Sequence, residues 1–254
     1  MNSTQNFSGL ANVYTVGRPT YAREFIDAIY SQYGVSEESV IADIGSGTGK
    51  FAKQLLDKGS TVYGVEPNDD MRGVAVKELE NYAKFIAVKG TASQTTLREH
   101  SVNFITVAQA FHWFQVAEFK KECKRILKKD GLVFLVWNLR DMSNVVNQES
   151  YEIFEKYCPR FKGFSGGIQK DDIRIKEFFD NEYEYIEFEN PLFYDKETFI
   201  KRSLSGSYSL KQGDENFDEY VKRLNELFVK YEDNGCLEMA NHTVVYIGKM
   251  RSEN

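Results

Sequence analysis

Val40-Ile41-Ala42-Asp43-Ile44-Gly45-Ser46-Gly47-Thr48-Gly49 is the stretch on which the fold turns. Five residues of buried-strand composition run into a loop with glycine at every second position, and a helix-spaced segment follows from Lys50. Glycine permits a tight turn and lets a ligand approach the backbone, while the start of the next helix presents unpaired N–H groups. The alternative is a plain strand-to-helix connection, so the loop has to be judged by its spacing and surroundings.

Three cofactor classes use such loops. A nucleoside triphosphate loop needs GxxxxGK followed by a hydroxyl residue. Here Gly49-Lys50 is preceded by Ile44 where the first glycine belongs and followed by Phe51 where the hydroxyl belongs. A dinucleotide fingerprint needs GxGxxG, and counting from Gly45 and Gly47 the third position is Lys50, which weakens that reading. The third pattern, DxGxGxG of S-adenosylmethionine loops, is met at Asp43, Gly45, Gly47 and Gly49. A second apolar run, Thr61–Val65, ends in Glu66, about twenty residues beyond Gly45, where a carboxylate can accept both hydroxyls of a ribose.

Outward from the loop, the apolar runs Val40–Ile44, Thr61–Val65, Phe85–Val88, Val102–Ala108 and 132–137 alternate with segments 50–58, 69–81 and 116–128 that carry apolar residues at helical spacing. Strand, helix, strand repetition implies parallel pairing with helices on both faces. Positions 57–60 and 128–131 end helices with charged residues and a glycine, and Asn68-Asp69-Asp70 supplies a helix start. Beyond Trp137 come an amphipathic segment at 144–157, an aromatic-edged loop at 161–167, helices at 196–203 and Phe217–Tyr231, and strands at 183–188 and 243–249. The expectation is an α/β, Rossmann-like, doubly wound and mostly parallel seven-stranded sheet under a helical substrate cover. It forms a single domain over 1–254, with a helical cap at 1–35, a cofactor-binding core at 36–140, substrate-side insertions with strand six at 141–235 and a final strand within 236–254.

The 254 residues are 42% hydrophobic and 28% charged, an ordinary globular balance, and the formal charge of −6 argues against a surface built to neutralise nucleic acid. Cys123, Cys158 and Cys236 are widely spaced and begin no zinc motif, so they read as free thiols, with no metal expected. The first residues are polar and no apolar run is long enough to span a bilayer, which points to a cytoplasmic protein. Oligomeric state is not legible.

At Ala42 to Gly49, Val62-Tyr63-Gly64-Val65-Glu66-Pro67, Gly90-Thr91-Ala92 and Ala108-Gln109-Ala110-Phe111-His112-Trp113-Phe114, the sequence resembles the class I S-adenosylmethionine-dependent methyltransferases. Within them it is similar to small-molecule enzymes of the trans-aconitate methyltransferase-like and ubiquinone-biosynthesis-like groups, and Tyr14 with Arg18-Pro19 shares that look. The resemblance implies that Asp43, Gly45, Ser46, Gly47 and Gly49 face the methionyl part and that Glu66 holds the ribose. Pro67 and Met71 would flank the nucleoside, Thr91 and Ala92 lie beside the adenine, and Gln109 and Ala110 sit under the methionine. Ser93 stands where relatives often carry an acid that accepts from the adenine amine.

Methyl transfer from a sulfonium is an in-line displacement whose donor already carries the activation, so a general base is needed only for some acceptors. His112, among Phe111, Trp113 and Phe114 past the fourth strand, is the candidate base; the other reading is an aromatic plug with an inert imidazole. His100 and His242 read as structural. Tyr14, Arg18, Trp113, Trp137 and Arg140 are candidates for holding a substrate or the methionine carboxylate, with a solvated charge as the other reading for each arginine. Tyr151, Phe154, Tyr157, Phe161 and Phe164 would form a hydrophobic cover or an ordinary core. The expected partner is a small molecule, with carboxylate-bearing ones among the candidates. Two rival functions share the fold: an NAD(P)-dependent oxidoreductase, for which no YxxxK follows the fourth strand, and a non-catalytic adenosylmethionine-binding module.

Overall fold

The computed structural model describes residues 19–164, 168 and 170–250, so Tyr14 and Arg18 lie outside the described residues. In chain order the elements are α1 (Arg23–Gln32), β1 (Val40–Ile44), α2 (Lys50–Asp57), β2 (Thr61–Val65), α3 (Asp69–Glu78), β3 (Phe85–Val88) and β4 (Val102–Ala108). A 3₁₀ turn (Phe111–Trp113) leads to α4 (Val116–Ile126), β5 (Leu127–Arg140) and α5 (Val145–Tyr157). The remainder is α6 (Ile173–Phe178), β6 (Glu184–Glu189), β7 (Leu192–Tyr194), α7 (Lys196–Leu204), α8 (Phe217–Tyr231), β8 (Leu237–Met239) and β9 (Asn241–Lys249).

Seven strands form one sheet in the order β3-β2-β1-β4-β5-β9-β6, parallel from β3 to β5, with β9 antiparallel to both β5 and β6. The sheet is the expected doubly wound α/β arrangement. Its parallel strands are near-continuous apolar runs because both faces are covered. Alternation along each strand splits the core: Val133, Leu135 and Trp137 face Phe119, Cys123 and Phe178 of α4 and α6, whereas Phe134 and Val136 face Phe25, Phe51 and Leu55 of α1 and α2.

Two features depart from the apolar pattern. β5 is longer than 132–137, because Leu127 pairs with Val102 across a break in register and Asp130 sits at φ 65°. A separate pair of three-residue strands, β7 with β8, and the short α6 were not expected. With α5, α7 and α8, the β7–β8 pair encloses a third apolar cluster around Phe154, Phe199, Tyr220 and Leu224, on the far side of the cavity from the parallel strands. Among the described residues, no helix is long and apolar enough to cross a membrane.

The chain leaves β1 toward β2 and β3 and returns to β4 on β1's other side. The reversal opens a crevice beyond the carboxyl ends of β1 and β4, where such sheets bind ligands.

Candidate active site

β1 carries Asp43 to this crevice. Its carboxylate is buried; Thr106 Oγ1 donates to Oδ1 at 2.9 Å, and Oδ2 has no hydrogen-bond partner among the described residues. Burial pushes the Asp43 pKa up to about 7, against the Thr106 hydrogen bond and with a small addition from the charge of Glu66. The loop beyond it needs its glycines twice over. Gly45 and Gly49 have φ of 72° and 78°, and an added Cβ would stand 2.7 Å from Ala110 Cβ at the first and 2.6 Å from Leu79 Cδ1 at the second.

Glu66, just past β2, is buried and fixed from both sides. Gly47 N–H donates to its Oε2 at 3.0 Å and Asn68 N–H to its Oε1 at 2.9 Å. Burial raises its pKa, opposed by these two hydrogen bonds and by the nearby Arg72. Each oxygen still has a lone pair for a ligand hydroxyl. The Asn68 side chain accepts from Met71 N at 3.0 Å, so one short segment both orients the glutamate and starts α3.

These groups line a cavity of about 1260 Å³. From the loop and β2 come Asp43, Gly45, Ser46, Gly47, Glu66, Pro67 and Met71, and from the next two connections Thr91, Ala92, Gln109 and Ala110. His112, Trp113 and Arg140 share the same wall. Gly49 lies behind the loop against α3, and Trp137 is not in the cavity at all. Fully buried, Trp137 packs edge-on to Phe111 and Tyr246 because alternation along β5 sends Asn138 and Arg140 to one face and Trp137 to the other. His100 and His242 serve the frame: His100 Nδ1 donates to Leu127 O at 2.9 Å, and His242 Nδ1 stands 2.9 Å from Glu187 Oε1.

Sequence reasoning missed a support under the Thr91–Ala92 connection. Thr95 donates from its backbone N at 2.8 Å and its hydroxyl at 2.6 Å to Glu122 Oε1, and Arg125 clamps that carboxylate. Ser93, on the same connection, stands 3.3 Å from Thr91 Oγ1. Asn138, at the ligand-side end of the fifth strand as its position there implies, donates to Thr20 O at 3.0 Å and accepts from Thr243 Oγ1 at 2.7 Å, tying the segment before α1 to the cavity wall.

The far end is built by the later segments. Arg140 donates to Ser150 Oγ at 2.9 Å and lies 4.0 Å from the Phe164 ring centroid. Burial pulls its pKa down to about 10, and the charge of Arg202 adds to that fall against contributions from nearby tyrosines. Residues Arg160, Lys162, Arg202, Tyr208 and Lys211 complete this end. In the sequence these charges look like ordinary solvated ones; Arg160, Lys162 and Lys211 do stay exposed at the edge of the cavity, whereas Arg202 is half-buried there.

Residues 42–135 match the methyltransferase domain family. An uncharacterized methyltransferase of Mycobacterium tuberculosis is 35% identical over 136 residues, covering 54% of this chain and 53% of that protein. An uncharacterized methyltransferase-like protein of Schizosaccharomyces pombe is 34% identical over 129 residues, covering 50% of this chain and 49% of the relative. The chain thus spans about half the length of these curated relatives. The fold is shared more widely. A protein of Anaeromyxobacter dehalogenans described as a type II methyltransferase superposes over 93% of this chain and 99% of its own, with a TM-score of 0.66 at 16% identity. Residues 42–135 thus form a methyltransferase domain, and the likeness to solved structures extends its fold over nearly the whole chain. A further neighbour in fold, phosphoethanolamine N-methyltransferase 2 of Haemonchus contortus with S-adenosylhomocysteine bound, covers 96% of this chain and 58% of its own, with a TM-score of 0.56 at 14% identity.

The residues that line the cavity suit S-adenosylmethionine. The cofactor carries a sulfonium and an ammonium, and the end of the cavity lined by Asp43 and Glu66 is acidic, with Asp43 Oδ2 lacking a partner among the described residues. At Gly47, on the cavity lining, an added Cβ would meet nothing within 4 Å, so the bare backbone there faces open space that a ligand can use.

Proposed function

We propose that this chain is a class I methyltransferase, one that transfers the methyl group of S-adenosylmethionine to a small, carboxylate-bearing molecule held in the same cavity. The carrying observation is Glu66: a buried carboxylate fixed between Gly47 N–H and Asn68 N–H on the cavity wall, set to accept a pair of ribose hydroxyls. Asp43, Gly45, Ser46 and Gly47 hold the methionyl part, with Gly49 keeping the loop tight against α3. Pro67 and Met71 flank the nucleoside, Thr91 and Ala92 border the adenine, and Gln109 and Ala110 support the methionine. Gln109 is itself braced, its Nε2 donating to Asn138 O at 3.0 Å. When bound, the cofactor would supply an activated methyl group on a sulfonium.

The protein's part is to align the acceptor and exclude water. The volume of about 1260 Å³ exceeds the roughly 300–1,000 Å³ of a typical single-ligand pocket, which suits a donor and a small acceptor side by side. Trp113 and Arg140 face the acceptor. Where the attacked atom must lose a proton, His112 on the 3₁₀ turn after β4 takes it; a carboxylate oxygen needs no such help.

Thermal unfolding with ligands tests the donor assignment. S-adenosylhomocysteine should raise the melting temperature and NADH should not; stabilisation by NADH alone would make the chain an oxidoreductase. Glu66→Gln should weaken S-adenosylhomocysteine roughly tenfold or more, the scale of losing a hydrogen bond to a charged group. Unchanged affinity would take Glu66 out of the site.

A further inference from the structure

The charge of the cavity wall is divided. Its two carboxylates, Asp43 and Glu66, belong to the donor loop and the end of β2. At the other end, three separate segments line the cavity with cations: half-buried Arg140 from β5 and Arg202 from the end of α7, with exposed Arg160 and Lys162 from the α5–α6 connection and exposed Lys211 from the loop after α7, its Nζ donating to Leu204 O at 3.0 Å. No carboxylate lines that end among the described residues, although the whole chain has 38 acidic residues against 32 basic ones.

Arg140 and Arg202 are the informative pair. Neither is in an ion pair among the described residues, whereas Arg125 and Arg174, on the frame, are each clamped by a carboxylate. Arg140 instead uses a neutral hydroxyl, Ser150 Oγ, and the Phe164 ring, which leave its charge uncompensated. Two guanidinium groups close enough for one to depress the other's protonation, in a partly desolvated cavity, are an electrostatic cost to the folded chain. Such a local conflict is expected where a ligand of opposite charge resolves it.

We propose that Arg140 and Arg202 form a clamp for an acceptor carrying at least two negative charges, with Lys211, Arg160 and Lys162 drawing it in from the mouth of the cavity. The proposal rests on the methyltransferase reading and narrows its substrate class from a molecule with a carboxylate to a dianion, either a dicarboxylate or a phosphomonoester. A monoanion satisfies one guanidinium and leaves the other exposed to its neighbour's charge. A dianion neutralises both, and planar guanidinium groups suit carboxylate and phosphate oxygens alike.

The test is calorimetric titration of the full chain saturated with S-adenosylhomocysteine, using glutarate, glycerol 3-phosphate, butyrate and neutral glutaramide as probes. At least one dianion should bind roughly tenfold or more tightly than butyrate, and glutaramide should not bind. The glutarate and glycerol phosphate arms decide between carboxylate and phosphate. Arg202→Gln should abolish the preference for the dianion over butyrate, and Arg140→Gln should weaken every anion. Both variants should keep their affinity for S-adenosylhomocysteine, which also shows that they fold. Equal binding of glutaramide and glutarate, no binding of either dianion, or an unaltered preference in Arg202→Gln would overturn the clamp while leaving the donor site standing. Failure of S-adenosylhomocysteine to bind the unaltered chain would instead remove the reading beneath it.

Discussion

Glu66 and Arg140 are both charged groups on one cavity wall, yet they are held by different means. Glu66 is gripped by backbone N–H groups of Gly47 and Asn68, all within one strand-to-helix turn and its neighbour. Arg140 depends on side chains: Ser150 from α5 and the Phe164 ring beyond it, against the repelling charge of Arg202 from α7. A site made by backbone needs glycines and a strand end, so its specification is local and its ligand can stay constant while the rest of the chain changes. A site made by side chains on four segments is specified by packing, and each segment can alter what it accepts. The donor end should therefore tolerate damage to the cover, and the acceptor end should not.

The largest test of that independence is Phe154→Ala. Phe154 is fully buried in the cover, ringed by Phe161, Phe164, Tyr208 and Tyr220 at centroid distances of 5.5, 5.7, 5.4 and 6.0 Å. Truncation of a buried Phe costs about 3–5 kcal/mol. Denaturant unfolding should show that loss, and binding of anions at the Arg140 end should disappear with it. S-adenosylhomocysteine affinity should stay within about threefold if the cover can loosen on its own. A parallel collapse of donor affinity would show that the two ends stand or fall together.

A smaller effect sharpens the donor side. Asp43 has its pKa raised from 3.8 to about 7 in the fold. The folded chain then holds a proton that the unfolded chain releases, so this group favours folding below pH 3.8, and its contribution is lost as pH rises toward about 7. Asp43→Asn removes the titration. Its stability in urea, measured across that window, should depend less on pH than that of the unaltered chain, by a few kcal/mol at most. An identical slope in both proteins would mean that Asp43 ionises freely in the fold. A cationic donor beside this carboxylate would stabilise the ionised form, so S-adenosylmethionine affinity should rise with pH over the same range.

The same contrast governs what the sequence could disclose. β1 to β4 were legible to the residue because parallel strands covered on both faces are short apolar runs, and the Asp43 to Gly49 loop is a local pattern. β5 was read too short, since a break in register at Leu127 and the left-handed Asp130 leave no apolar signature. β7 and β8 are three residues each and separated by two helices, so their pairing is visible only once α7 and α8 are packed. Arg202 and Lys211 gave no signal for a similar reason: nothing near them in the chain marks which way they face. Arg140 was legible because it ends a strand on the ligand side, but the same argument, applied to Trp137 without regard to the two-residue alternation, placed an indole in the cavity that belongs to the core.

That correction yields the smallest effect. Trp137 and Arg140 are three residues apart on β5, so they point to opposite faces, and a change at Trp137 should be felt only in stability. Trp137→Phe removes buried surface and leaves a small void beside Phe111 and Tyr246. It also removes an indole N–H that is buried with no hydrogen-bond partner among the described residues, which offsets part of the cost. The net loss should be about 1 kcal/mol in denaturant unfolding, at the low end of core truncations. Affinities for S-adenosylhomocysteine and for the anions that Arg140 holds should be unchanged. A selective loss of anion binding in Trp137→Phe would mean that the indole reaches the acceptor after all, and that the core behind β5 is part of the site.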